Sequence, residues 1–291
     1  MGDDDRVRQA CAFLRMLLLR PGEYRATWER TAPPTPPEEI NYAAVAAVLK
    51  AADPDAARRA LEGEALDADL LAEFTRAFSL RPRHAGRLAD LLRGSPAVRV
   101  INGDLRAPNL VRRAAPTTQH ETLSLHELHV LGPDGKPAEH QTIQLIRSTV
   151  DGLESLPLRF DTEELVIDVV RGGRVGEVYQ ASDTLYAVDL LLGTPLNRGE
   201  TALMQVRMNF FYRATPPPEF RRGVLGATKD LTLWVSFHPD RLPKRVWQAR
   251  WDALDHAKVI DRELVELDNE RSVNCRFDAV ERAIVGFYWE W

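Results

Sequence analysis

The pattern of apolar residues changes from helical spacing to strict alternation near residue 100, and this change limits the folds that the chain can adopt. The first hundred residues are rich in Ala, Leu, Arg and acidic side chains, whereas the remainder is rich in Val, Thr, Trp and Tyr. A length of 291 residues is enough for two hydrophobic cores. We therefore predict an α+β protein of two domains, with an all-α N-terminal bundle and a C-terminal antiparallel β-sandwich.

The N-terminal domain, residues 1–95, is predicted to be a bundle of five or six short helices. A first helix carries Cys11 on its apolar face and ends at Pro21-Gly22. Asp53 and Asp67 have the side chain and the position of helix N-caps, and Pro82 suits the first turn of a last helix that ends at Gly94.

The C-terminal domain, residues 119–291, is predicted from short alternating runs separated by turns. The runs cover residues 142–150, 165–170, 185–192, 202–212, 231–237, 245–251, 259–267, 273–277 and 284–291. No helix-length run separates them, which favours a sandwich over an α/β fold. Gly172-Gly173 is predicted to form a hairpin turn. Residues 96–118 have no clear period and are predicted to be a basic linker.

Aromatic residues of the second domain are expected mainly in its core. Trp234, Trp247 and Trp251 fall within strands, and an aromatic ligand pocket is the alternative use for them. In the last strand, Phe287 and Trp289 should face the core while Tyr288 faces the other way.

One stretch of the helical part carries a family resemblance. It consists of Arg59-Ala60-Leu61-Glu62-Gly63, then Leu66, Leu70-Leu71, Phe74, Ala77-Phe78-Ser79-Leu80 and Pro82. This stretch resembles the second half of a lambda-repressor-like (XRE-type) helix-turn-helix domain. The whole arrangement is similar to a family of bacterial proteins that join such a domain, in degenerate form, to a β-rich C-terminal domain. Where the family has a sharp turn before the recognition helix, this chain has Lys50-Ala51-Ala52-Asp53-Pro54 and no glycine.

The resemblance implies a DNA-binding transcriptional regulator. By position, residues 53–62 would be the recognition helix, with Arg58 and Arg59 entering the groove. Phosphates would be contacted by Arg76, Arg81, Arg83 and Arg87. These four belong to residues 76–113, which hold nine arginines against two aspartates. The β-sandwich would mediate dimerisation or sense a ligand or partner, and a homodimer is expected.

The charge of the recognition segment favours an alternative. Residues 53–73 hold seven acidic side chains against Arg58 and Arg59 alone, and such a surface repels DNA. The alternative is a non-catalytic protein-interaction or scaffold module whose helix-turn-helix has lost DNA binding. An enzyme is the third hypothesis. Because the nucleophile-elbow, phosphate-loop and dinucleotide motifs do not occur in the sequence, no catalytic residue and no cofactor is predicted.

Four histidines, His120, His126, His129 and His140, lie within 21 residues and are candidate metal ligands. If residues 121–130 form a strand, His126 and His129 point to opposite faces and cannot share an ion, so no metal site is predicted. The Pro-rich segment 213–229 is predicted to be either a binding loop or a stiff connection whose Phe220 packs into the core.

Targeting and redox features are few. The longest early apolar stretch is far shorter than a membrane helix, and the first five residues carry three Asp where a signal peptide would be basic. Cys11 and Cys275 stand at opposite ends of the chain and are predicted to be core thiols. We therefore expect a cytoplasmic protein.

Overall fold

The computed structural model describes residues 2–32, 35–36, 38–51, 54–103, 110–113, 119–182, 185–253 and 258–291. The chain divides into two compact units between Asn102 and Gly103. The first unit is mainly helical and the second is β-rich, which confirms the predicted α+β class with its helices N-terminal. The division lies inside the predicted linker 96–118, where the structure also contains a short strand, β1 (Val98–Asn102).

Six helices precede this strand in the described part of the chain. They are α1 (Asp3–Leu19), α2 (Glu23–Glu29), α3 (Tyr42–Leu49), α4 (Pro54–Glu62), α5 (Ala68–Ala77) and α6 (Pro82–Leu92). The Asp67 side chain accepts a hydrogen bond from the Leu70 N–H at 2.8 Å, as predicted for an N-cap. Asn41 caps α3 in the same way, accepting from the Ala44 N–H at 3.0 Å. The predicted cap at Asp53 lies outside the described residues.

The connection between α3 and α4 begins with a left-handed residue. Lys50 has φ 56° and ψ 32°, a conformation that glycine adopts at much lower cost. The Ala51 N–H donates to the Ala46 carbonyl at 3.1 Å, which closes the end of α3. Lys50 therefore takes the backbone conformation for which many helix ends use a glycine.

The core of the helical unit consists of large apolar side chains from all parts of the bundle. Phe13, Trp28 and Phe74 are fully buried, and the Trp28 Nε1–H donates to the Leu18 carbonyl at 3.0 Å. Cys11 is also fully buried, and burial raises the pKa of its thiol to about 11. The prediction of a core thiol is thus confirmed for Cys11.

Thirteen strands follow within the described residues of the second unit. They are β2 (His120–Leu131), β3 (Pro137–Ser148), β4 (Leu153–Phe160), β5 (Glu164–Arg171), β6 (Gly173–Gln180), β7 (Tyr186–Leu196), β8 (Thr201–Phe210), β9 (Glu219–Val224), β10 (Leu231–Ser236), β11 (Arg245–Trp251), β12 (Val259–Val265), β13 (Ser272–Phe277) and β14 (Ala283–Glu290).

The strands form three sheets rather than the two of a simple sandwich. The strands of this unit run in the orders β5-β8-β3-β2-β10-β13, β12-β11-β14-β9 and β4-β7-β6. Their pairings are antiparallel, as predicted, with the exception of β2 and β10, which run parallel with Leu231 opposite Leu125. These two strands are far apart in sequence, so no short hairpin fixes their relative direction.

The predicted hairpin at Gly172-Gly173 is wrong, because the two strands that it joins belong to different sheets. β5 pairs with β8, whereas β6 pairs with β7. Gly172 has φ +97°, and a Cβ on it would lie 2.3 Å from the Leu203 carbonyl oxygen. The glycine therefore marks a corner at which the chain passes from one sheet to another.

The aromatic residues of the second unit divide between core and surface. Phe287 and Trp289 are buried and Tyr288 is half-buried, as predicted for the last strand. Trp251 is buried and Trp247 is half-buried against the Tyr288 ring. Trp234 is 39% exposed, and its Nε1–H donates to Ser272 Oγ at 2.7 Å, so the prediction of a core position is wrong for Trp234.

None of the helices in the described part combines the length and the apolar character that a membrane crossing requires.

Candidate functional site: a cavity lined by three sheets

The second unit contains a cavity of about 790 Å³ that strands from all three sheets line. One part of its wall is apolar and includes Leu156 and Leu158 of β4 with Met204 and Met208 of β8. Another part is polar, and its side chains come from β2, β3 and β9. They are Glu127, His129, His140, Thr142 and Arg222.

The β2–β3 hairpin brings the polar residues together in pairs. Its register places His129 directly opposite His140 and Glu127 directly opposite Thr142. Side chains at alternate positions of a strand share a face, so all four residues face the cavity. His126 is exposed on the other face of β2, as the sequence predicts.

Glu127 is a buried carboxylate with one cationic partner. Its side chain is 1% exposed, and Arg222 Nη1 donates to Oε1 at 2.9 Å. The Thr142 hydroxyl donates to the same oxygen at 3.4 Å. Burial raises the pKa of Glu127, but Arg222, His140 and Thr142 outweigh burial and hold the pKa at about 2. Glu127 is therefore ionised at neutral pH, and it holds Arg222 at the cavity wall.

His129 and His140 form a coupled pair next to this carboxylate. Their Nδ1 atoms are 3.4 Å apart, and His140 Nε2 lies 3.1 Å from Thr142 Oγ1. Because the Thr142 hydroxyl donates its proton to Glu127, its oxygen accepts from the His140 Nε2–H. His140 thus links Glu127, through Thr142, to His129, whose Nε2 lies at the end of this chain of contacts.

The surroundings keep His129 neutral. Burial lowers its pKa most, the His140 ring lowers it further, and the net value is about 3 although Glu127 acts in the opposite direction. The Phe220 ring stacks on the imidazole with centroids 4.6 Å apart and an interplanar angle of 10°. His129 is thus a fixed, uncharged hydrogen-bonding group in the cavity wall.

Three polar atoms of this wall are buried without a hydrogen-bond partner in the part of the chain that the structure describes. They are Glu127 Oε2, His129 Nε2 and Arg222 Nε. Buried polar atoms of folded proteins nearly always have a partner, and one left alone costs about 1–3 kcal/mol. Glu127 Oε2 is an acceptor and Arg222 Nε is a donor, so together with the ring nitrogen of His129 the wall presents both kinds of hydrogen-bonding group to the cavity.

Metal binding has no support from this geometry. Among the described residues, no three side chains of His, Cys, Asp or Glu are placed to hold one ion. Cys275 is buried in its strand, and burial raises the pKa of its thiol to about 12, as expected for the predicted core thiol.

This cluster was not predicted, although the sequence contains a signal for it. The turn Gly132-Pro133-Asp134-Gly135 predicts a hairpin, and pairing the residues outward from it places His129 near His140 and Glu127 near Thr142. The contribution of Phe220 and Arg222 could not be derived in this way. Their strand, β9, pairs with β14 and reaches the cavity through long-range packing.

The segment 213–229 combines features of both predicted alternatives. Its middle forms β9 rather than a loop. Phe220 is half-buried against His129, and Pro216 and Pro217 line the cavity with it.

The six arginines proposed for DNA binding lie in different environments. Arg58 pairs with Asp55 at 2.7 Å, with Glu64 at 2.9 Å and with Glu62, and these hydrogen bonds raise its pKa. Arg59 lies 3.6 Å from Asp55, and Arg81 pairs with Glu23 at 2.7 Å.

Arg76 and Arg83 are exposed, whereas Arg87 is 3% exposed in the bundle. The structure thus places Arg59, Arg76, Arg81 and Arg83 at the surface of the helical unit, Arg58 within a cluster of carboxylates and Arg87 in the interior. DNA binding through these residues stays a prediction.

Comparison with known proteins gives no assignment. No protein-family model matches the chain, and no curated protein sequence matches it. A crystal structure of a "putative protease" from Parabacteroides distasonis ATCC 8503 aligns with a TM-score of 0.38 and 8% identity. The alignment covers 60% of this chain and 41% of that protein, so the chain spans about two fifths of its length. A likeness at this level is too weak to establish a shared fold.

Proposed function

We propose that the second unit binds a small organic molecule in the cavity between its sheets. The cavity volume of about 790 Å³ lies within the range of about 300–1,000 Å³ that is typical of small-molecule sites. The observation that carries the proposal is the fully buried acceptor Glu127 Oε2 together with the buried ring nitrogen His129 Nε2, neither of which has a partner among the described residues.

The wall defines the chemistry of the ligand. The acceptor Glu127 Oε2 requires an N–H or O–H donor on the bound molecule, and the leucines and methionines of β4 and β8 require an apolar body. The proposal includes the predicted β-sandwich arrangement. In a sandwich the sheets stack face to face, and a molecule that contacts all three sheets would lie between stacked sheets.

A fluorescence titration of the full chain tests the proposal. The probe is N-phenyl-1-naphthylamine, which has an apolar aromatic body and a single N–H donor, and which emits strongly only in apolar surroundings. We expect saturable binding of one probe per chain. Filling the cavity by Met204→Trp, or by Leu158→Trp on the facing strand, should raise the Kd by about tenfold or more, which corresponds to roughly 1.4 kcal/mol.

The neighbouring residue on β8 supplies the matched control. Leu203 is 39% exposed and does not line the cavity, so Leu203→Trp should leave the Kd unchanged. Melting temperatures of all variants show whether they are folded. Absence of saturable binding, or equal binding by the folded cavity-filled variants and the control, would contradict the proposal.

DNA binding by the helical unit is a separate proposal that rests on the family resemblance. Together the two proposals describe a regulator whose second unit senses a small molecule. The test is a gel-shift titration of the full chain with DNA from upstream of its own gene, at low and at physiological salt. Affinity that falls with salt and specific binding that is lost in Arg58→Ala/Arg59→Ala would support it. Binding that ignores salt or this double substitution would contradict it, and complete absence of binding would favour the protein-interaction alternative.

A further inference from the structure

The charged residues of the cavity wall are unevenly paired. Four arginines line the cavity, and three of them have a carboxylate partner. Arg113 makes a bidentate pair with Asp189 at 2.8 Å. Arg222 pairs with Glu127 at 2.9 Å, and Arg221 pairs with Glu219. For the fourth, Arg159 of β4, the described residues provide no carboxylate within ion-pair distance.

Arg159 is also partly withdrawn from water. It is half-buried, and burial lowers the pKa of its guanidinium from the ordinary value. The positive charge of Arg222 lowers that pKa further, whereas Tyr179 raises it. The charge of Arg222 is balanced by Glu127. A half-buried arginine without such a carboxylate is stabilised by an anionic group on a bound molecule.

The cavity that Arg159 lines also has an apolar surface. Leu156 and Leu158 are buried in the same strand and line the cavity. Met204 and Met208 of β8 line it as well. A small inorganic ion would leave this apolar surface uncovered, whereas an organic acid covers it with its carbon skeleton.

We propose that the ligand of the cavity is an organic acid whose anionic group is held by Arg159, with its apolar body against the leucines and methionines that line the cavity. This inference rests on the proposed function and names the ligand class of the same site. The shared chemistry is an anionic oxygen group, such as a carboxylate or a phosphate, which matches the planar donor pattern of a guanidinium.

The test compares two probes that differ in one group. 1-Anilinonaphthalene-8-sulfonate is N-phenyl-1-naphthylamine with an added sulfonate. We expect the full chain to bind the sulfonate about tenfold more tightly than the neutral amine, which corresponds to about 1.4 kcal/mol, because the sulfonate accepts charge-assisted hydrogen bonds from the guanidinium. Arg159→Gln should remove this preference and leave the Kd of the neutral amine within about twofold, a change well below 1 kcal/mol.

Arg174→Gln serves as the matched control, because Arg174 is an exposed arginine of β6 outside the cavity lining. It should keep the preference for the sulfonate. Decanoate or decyl phosphate should displace the neutral amine at about tenfold lower concentration than decanol, and the more effective of the two identifies which anionic group the site accepts.

The outcomes separate the two proposals. If the neutral amine does not bind at all, the proposed function fails. If it binds, but the preference for the sulfonate is absent or survives in a folded Arg159→Gln variant, the cavity binds small molecules and the organic-acid inference is wrong. Equal displacement by decanol and decanoate would overturn the inference in the same way.

Discussion

At the scale of single residues, Glu127 is the side chain that most constrains the second unit. A carboxylate that is 1% exposed is costly unless it is paired and hydrogen-bonded. Arg222 and Thr142 supply those partners to one of its oxygens, and the other oxygen faces the cavity wall without one among the described residues. The stability of the pair and the binding property of the cavity therefore depend on the same group.

Removing the cation alone should destabilise the protein strongly. Arg222→Met leaves Glu127 charged and buried, which we expect to lower the free energy of unfolding by about 3 kcal/mol. Glu127→Met/Arg222→Met removes both charges and should cost less than the single substitution. Urea denaturation followed by tryptophan fluorescence measures both values. A double variant less stable than Arg222→Met would contradict the account of Glu127.

His129 should make the protein sensitive to mild acid. Its pKa is about 3 in the folded protein, whereas an unfolded histidine has a pKa of about 6.5. Between these values the unfolded chain binds a proton that the folded protein does not, so stability is present above pH ~6.5 and is lost as the pH falls toward 3. From pH ~7 to pH ~5 this histidine should account for a loss of about 2 kcal/mol.

Substitution by neutral residues isolates this contribution. His129→Asn should remove that part of the loss in urea denaturation at the two pH values. His126→Asn should not, because His126 is exposed on the other face of β2. An unchanged pH dependence in a folded His129→Asn variant would contradict a neutral, buried imidazole.

Lys50 offers a local gain in stability. A non-glycine residue in the left-handed conformation costs roughly 1–2 kcal/mol, and the φ of 56° at Lys50 is in that region. We expect Lys50→Gly to raise the free energy of unfolding by about 1 kcal/mol. Lys50→Ala, which keeps the Cβ, should give no such gain. Far-UV circular dichroism during urea denaturation compares the two, and a loss of stability in Lys50→Gly would contradict the assigned conformation.

At the scale of elements, local signals predicted helices and most strands well. The cap at Asp67 and the start of α6 at Pro82 depend on neighbouring residues alone, and both were predicted. The corner at Gly172 was predicted as a hairpin because a glycine with positive φ occurs both in hairpin turns and at corners between sheets. Only the pairing partners of β5 and β6 distinguish a corner from a hairpin. The prediction for Trp234 was wrong for a different reason. Alternation of apolar and polar residues shows that the two faces of a strand differ, but it does not show which face other parts of the protein cover.

Gly286 of β14 should be essential for the position of β9. A Cβ on Gly286 would lie 1.9 Å from the Phe220 carbonyl oxygen, so Gly286→Ala must displace the strand that carries Phe220 and Arg222. We expect a loss of about 1–3 kcal/mol in the free energy of unfolding, together with weaker binding of N-phenyl-1-naphthylamine.

Gly193→Ala is the matched control, because a Cβ there meets nothing within 4 Å. It should change stability by less than about 0.5 kcal/mol and leave probe binding intact. Equal effects of the two substitutions on stability and binding would show that β9 is not held as described.

At the scale of the whole molecule, the division into a helical part and a β-rich part follows from the change in apolar pattern near residue 100. The order of the strands does not, because it depends on contacts between residues distant in sequence, such as β2 with β10. The cavity also depends on contacts between residues distant in sequence. Its polar wall combines a hairpin with β9, and its apolar wall combines β4 with β8, so a local pattern identifies some members of the site but not the site itself.

A crystal structure of the full chain with N-phenyl-1-naphthylamine tests most directly whether the cavity binds a small molecule. We expect the aromatic body to lie in the cavity against Phe220 and Met208, with its N–H donating to Glu127 Oε2. A probe found only on the surface, with the cavity side chains arranged as described and no probe among them, would contradict it.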